Sequence, residues 1–100
     1  MIVKTLIDVE PEKAFRFCNN SRALNLYQLV DTIEHTDDGI FTYHVTSRHD
    51  FATWIKDVIA DEPLFHYIKE ERDKRWFVAK VRFRIKELEE RLQPKMPVKT

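Results

Sequence analysis

The sequence predicts an all-α fold, a small bundle of four to five helices with room for one short N-terminal strand or hairpin. Three observations carry that prediction. Apolar residues recur at three- and four-residue steps through most of the chain, the spacing that gives a helix one buried face. Serine or aspartate precedes several of these runs, where a helix start needs an acceptor for its free amides. Glycine occurs once, at Gly39, and the four prolines fall at the edges of the runs.

Residues 2–9 hold Ile2, Val3, Leu6, Ile7 and Val9 in loose alternation, which reads as an extended segment or short strand. Pro11 opens a helical turn through Glu12, Lys13 and Ala14, or marks a bend. Phe15, Phe17 and Cys18 read as buried, and Asn19 and Asn20 suit a turn because asparagine tolerates the left-handed region. Ser21 serves as N-cap for a helix reaching about Glu34, with Ala23, Leu26, Val30 and Ile33 on one face and Leu29 widening it. Asp37 caps a shorter helix that aligns Ile40, Phe41, His44 and Val45.

Ser47 with Asp50 forms a capping-box variant, or Asp50 is itself the cap, before the stripe Phe51, Trp54, Ile55, Val58 and Ile59. Asp61, Glu62 and Pro63 start another helix, with Leu64, Phe65 and Ile68 inward. Residues 69–75 are charged throughout. Glu70 with Lys74 and Glu71 with Arg75 suit a continuing solvated helix, and a break near Asp73 is the alternative. In residues 76–92, Val81, Phe83 and Ile85 alternate with Lys80, Arg82, Arg84 and Lys86 as a basic-faced strand would. Val78, Val81, Ile85, Leu88 and Leu92 also fit a two-heptad seam, and the glycine-free, helix-favouring composition decides for the helix. The domain is expected to span residues 1–93, with 94–100 a loose tail.

One hundred residues, 43% of them hydrophobic and 12% aromatic, suffice for one domain with its own core. The 17 basic and 17 acidic residues cancel, so no bulk field draws the chain to nucleic acid or an anionic membrane. The distribution is uneven, because residues 72–86 hold seven basic residues against Asp73 alone. A single glycine excludes glycine-rich phosphate loops, and no cofactor is expected. The lone Cys18 forms no internal disulfide, Lys4 and Asp8 interrupt the only leader-like run, and no stretch approaches a membrane span. A cytoplasmic location is the expectation.

Phe15-Arg-Phe17, the Asn19-Asn20 turn, the helix after Ser21, Phe41-Thr-Tyr43-His44-Val45 and Asp50-Phe51-Ala-Thr-Trp54-Ile55-Lys-Asp57-Val58-Ile-Ala-Asp61 together form a pattern. In it the chain resembles a small prokaryotic family of uncharacterised helical domains, over about half of its length. The sequence departs from that pattern at Asn20, where a turn glycine is usual, at His49, where asparagine is common, and at Phe65, where a small residue is common. The resemblance implies a helical fold and no activity.

His44, His49 and Asp50 offer the one set with metal-ligand chemistry, and a small metal-binding domain is one functional alternative. Their ordinary explanation is structural: His44 lies on an apolar helix face, and Asp50 serves as a cap. Cys18 with His35 or His44, and the pair Asp37 and Asp38, are too common as arrangements to signify catalysis. No enzyme is expected.

Nucleic-acid binding through Arg72, Lys74, Arg75, Lys80, Arg82, Arg84 and Lys86, interleaved with Trp76 and Phe83, is the runner-up reading, ahead of metal binding. Helical geometry splits these cations over two flanks. The same geometry turns Trp76 and Phe83, with Ala79 nearby, away from the Val78–Leu92 seam, so the last helix has two apolar faces. Either the second face packs under residues 1–18, or it meets another chain. The favoured expectation is a non-catalytic protein-interaction module, homodimeric through the C-terminal helix. Trp76, Phe83, Lys80, Arg82, Arg84 and Lys86 are its candidate contact residues.

Overall fold

The computed structural model describes residues 3–92, of which the side chain of Leu92 is left aside. The expected loose tail at 94–100, and Ile2 of the expected N-terminal strand, lie outside the described residues. The chain is mostly helical, about 65%, with five α-helices and one antiparallel hairpin among the described residues. The hairpin pairs β1 (Phe15–Arg16) with β2 (Arg22–Ala23). The helices are α1 (Leu26–Glu34), α2 (Asp38–Val45), α3 (Asp50–Trp54), α4 (Glu62–Ile68) and α5 (Lys74–Leu92).

The N-terminal segment is not the expected strand. It forms a 3-10 turn over Lys4–Leu6, because Val3, Leu6 and Val9 face inward at three-residue steps while Lys4, Ile7 and Asp8 face out. Pro11–Lys13 is a second such turn, as the proline predicts. Cys18 is exposed rather than buried. The side chains of β1 alternate, Phe15 in, Arg16 out, Phe17 in, and the next position therefore points to solvent. Asn20 takes the left-handed conformation at φ 74°, which closes the hairpin without a glycine.

The first long helix starts later than Ser21. Ala23 is held in β2 opposite Phe15, and Asn25 is the cap, its side chain accepting from the Gln28 amide at 2.8 Å. Gln28 reaches back and accepts from the Leu24 amide at 2.8 Å, so two orphan donors are satisfied reciprocally. α2 begins after Asp37 as expected, although the Asp37 side chain makes no cap hydrogen bond, and Phe41, His44 and Val45 are buried. At α3 the cap is neither Ser47 nor Asp50 but His49, whose Nδ1 accepts from the Ala52 amide at 3.2 Å. The helix then widens into a π-turn at Ile55–Ile59 and stops at Ala60, left-handed at φ 61°.

α4 begins with Pro63 in its first turn. Residues 69–73 leave the helix, so the break is realised and the two predicted four-residue pairs do not form. Glu71 instead meets Lys80 at 2.7 Å, and Lys74 meets Asp38 and the Thr36 carbonyl, each at 2.8 Å. α5 is helical throughout, and the strand alternative is set aside. It is the spine of the fold: α1, α2 and α4 all pack on it, while α2 also packs on α3.

Phe51 is the hub of the core. It is fully buried, with ring centroids 4.8 Å from Phe15, 5.3 Å from Phe77, 5.4 Å from Phe41 and 5.9 Å from Phe17. Trp54 lies at the edge of this cluster and donates its indole N–H to the Lys13 carbonyl at 2.8 Å, fastening the N-terminal segment to α3. Of the residues expected to face inward, Ile40, Val58 and Phe65 are only partly buried, whereas Phe77, which the seam pattern omits, is fully so.

Candidate functional site

Sequence reasoning offers two candidate sites, the His44/His49/Asp50 set and the far face of α5. The histidines are consumed by the fold. His44, buried on α2, accepts from the Cys18 amide through Nε2 at 3.0 Å, and its Nδ1 meets Asp50 Oδ2 at 2.9 Å. His49 Nδ1 caps α3, while its Nε2 donates to the Glu71 carbonyl at 2.7 Å. In each ring one nitrogen accepts from a backbone amide, which leaves the other to donate. Burial pushes the His49 imidazole below its usual value, against the opposing pull of the Glu71 carbonyl. All four ring nitrogens are thus occupied, and no group of three or more His, Cys, Asp or Glu is placed to hold a metal ion among the described residues. The three residues act as a brace joining the hairpin, α2, α3 and the turn before α5.

The far face of α5 is open. At the start of the helix the Asp73 carboxylate accepts from the Trp76 amide at 3.2 Å, and nineteen residues then run without proline or glycine. Phe77, Val78, Val81, Arg84, Ile85 and Leu88 turn inward. Trp76 and Phe83 turn outward, 62% and 57% exposed, and do not pack under residues 3–18, the described part of the N-terminal segment. Between them Ala79 forms the floor of a shallow cleft of about 400 Å³, with Tyr67 of α4 and Lys80 on its sides. Tyr67 stands 6.1 Å from the Phe83 ring and donates its hydroxyl to Glu87 at 3.2 Å. Tyr67 is missed by reading the sequence, since it joins the patch from another helix and only the α4–α5 packing brings it there.

The four predicted contact cations divide. Arg84 is no surface residue: its guanidinium is buried and forks onto Asp61, with Nε to Oδ2 at 2.7 Å and an Nη to Oδ1 at 2.8 Å, plus Glu87 at 3.2 Å. The Asp61 bonds push it further above its already high ordinary pKa, with burial opposing. Arg82 pairs with Glu34 of α1, and Lys80 with Glu71. Lys86 is exposed, with no ion pair among the described residues. Upstream, the Arg72 Nε donates to the Val45 carbonyl at 2.9 Å. A second groove of about 720 Å³ lies between α2 and the start of α5, where Glu34 and Asp38 face Lys74, Arg75 and Arg82. The basic run is therefore mostly neutralised within the chain rather than gathered into one positive stripe.

No family model matches this chain, and neither a curated protein nor a solved structure matches it. No described helix is long and apolar enough to cross a membrane.

Proposed function

We propose that this chain is a non-catalytic protein-interaction module that self-associates through the outer face of α5. One observation carries the reading: Trp76 and Phe83, two large aromatics one heptad apart, stand more than half exposed on a rigid helix with Tyr67 beside them. Interface cores are enriched in aromatic side chains set among polar rims, and energetic anchors are drawn from Trp and Tyr. Here Lys80, Lys86 and Glu87 supply the rim. Four of the seven cations of the basic run, Lys74, Lys80, Arg82 and Arg84, are already matched by Asp38, Glu71, Glu34 and Asp61, which favours a protein partner over nucleic acid.

Sedimentation at tens of micromolar tests the reading. The intact chain is expected to sediment heavier than a monomer, with tryptophan emission shifting to the blue as concentration rises and Trp76 is covered. A Trp76→Ser/Phe83→Ser double variant should remain monomeric with unchanged helicity, because neither ring supports the core. A particle that stays monomeric across that range removes the proposal.

A further inference from the structure

The outer face of α5 is a heptad stripe in its own right. Trp76, Ala79, Phe83, Lys86 and Glu90 follow one another at steps of three and four, and all are exposed. Its chemistry is directional. Aromatics and the small Ala79 occupy the first half, a cation follows, and an acid ends it. A parallel, in-register pair would set Lys86 against Lys86 and Glu90 against Glu90, and would leave Ala79 opposite Ala79 with a gap between the two bulky pairs. An antiparallel pair centred on residue 81 removes every one of these conflicts.

We infer that the partner is a second copy of this chain, packed antiparallel along α5 with Phe83 of each copy seated on Ala79 of the other. The inference rests on the self-association proposed above and adds its geometry. Positions summing to 162 then face each other. Phe83 enters the cleft whose floor is Ala79 and whose ends are Trp76 and Phe83, a large-on-small fit. Trp76 of one copy lies opposite Lys86 of the other, within reach of a cation–π contact. Glu90 comes to the start of the opposite α5, where Arg72, one nitrogen of which is held by the Val45 carbonyl, stands beside the Asp73 carboxylate that caps the helix. Arg82 and Lys80 flank the two-fold axis, and their in-chain carboxylates Glu34 and Glu71 keep the axis from becoming a bare cluster of cations. Such a contact is isologous and closes at two copies.

The test is a distance. In the full chain with Cys18→Ser, a spin label at Arg91→Cys reports on the far end of α5, off the stripe. At 1.5 Å rise per residue, ten residues on each side of residue 81 separate the two labels by about 30 Å along the axis, whereas a parallel pair brings them within about 15 Å. A second variant, Ala79→Glu, is exposed and leaves the fold intact. It is expected to weaken the dimer about a hundredfold by burying a carboxylate at the contact. A dimer with labels at the short distance, or one indifferent to Ala79→Glu, overturns the antiparallel arrangement and leaves self-association standing. A monomer overturns both.

Discussion

Asp61→Ala tests the fold at the one Arg–Asp pair that is buried on both sides among the described residues. Arg84 and Asp61 are each almost fully buried, and two hydrogen bonds of 2.7 and 2.8 Å join them across the α4–α5 contact. Removing the carboxylate leaves the guanidinium with Glu87 alone, 3.2 Å away and partly solvated. A buried charge stripped of its partner costs about 3–5 kcal/mol, and the remaining Glu87 places this case near the lower end, about 3 kcal/mol. Asp61 makes no side-chain cap bond to α4, so no capping energy is mixed into the figure. Against the ~5–15 kcal/mol expected of a domain this size the loss is large. With a urea m-value of about 1.5 kcal/mol/M it lowers the unfolding midpoint by about 2 M. Replacing both partners, Asp61→Ala with Arg84→Met, removes the orphaned charge while keeping its alkyl volume, and should recover about 2 kcal/mol relative to the single variant. Urea titrations followed by far-ultraviolet circular dichroism measure the parent chain, each single variant, Asp61→Ala and Arg84→Met, and the double variant. A single-variant loss below about 1 kcal/mol, or a double variant that is merely the sum of its parts, would refute the assignment of this pair as the α4–α5 lock.

Phe51→Ala should destabilise by about 3–5 kcal/mol, at or above the cost of Trp54→Ala, since Phe51 touches four other phenylalanines and Trp54 sits at the rim; denaturant midpoints give the order. His49 is held neutral, with its folded value below the ordinary ~6.5, so the unfolded chain binds more protons there. The stability it confers is complete above about pH 6.5 and is lost as pH falls through the folded value. Nuclear magnetic resonance titration of the His49 ring checks this, and a midpoint at or above 6.5 would contradict it.

The bundle was readable because its signals are local. Helical spacing and the positions of Asp37 and Pro63 locate α2 and α4 without reference to the rest of the chain. Choosing helix over strand for residues 76–92 depended on composition, and α5 bears it out. What escaped depends on partners distant in sequence. Ser21 looks like a cap, but Ala23 is claimed by a strand whose other half lies at Phe15. His49 outcompetes Asp50 as a cap because Asp50 is already engaged by His44. Arg84 reads as one more surface cation, and nothing local reveals that Asp61, 23 positions earlier, waits beneath it. At the outer face of α5 the sequence gives Trp76, Ala79 and Phe83 by spacing alone, whereas Tyr67 belongs to that patch only through tertiary packing.

The hairpin's attachments bear on the order in which the molecule assembles. Strands of two residues have no independent persistence in water, and this pair is fixed from outside: an imidazole from α2 takes the Cys18 amide, and an indole from α3 takes the Lys13 carbonyl. Those helices must therefore be docked before the strands have anything to hold them. Residues 15–23 are expected to form late on the folding route. Substitutions there should quicken unfolding and leave the refolding rate nearly untouched.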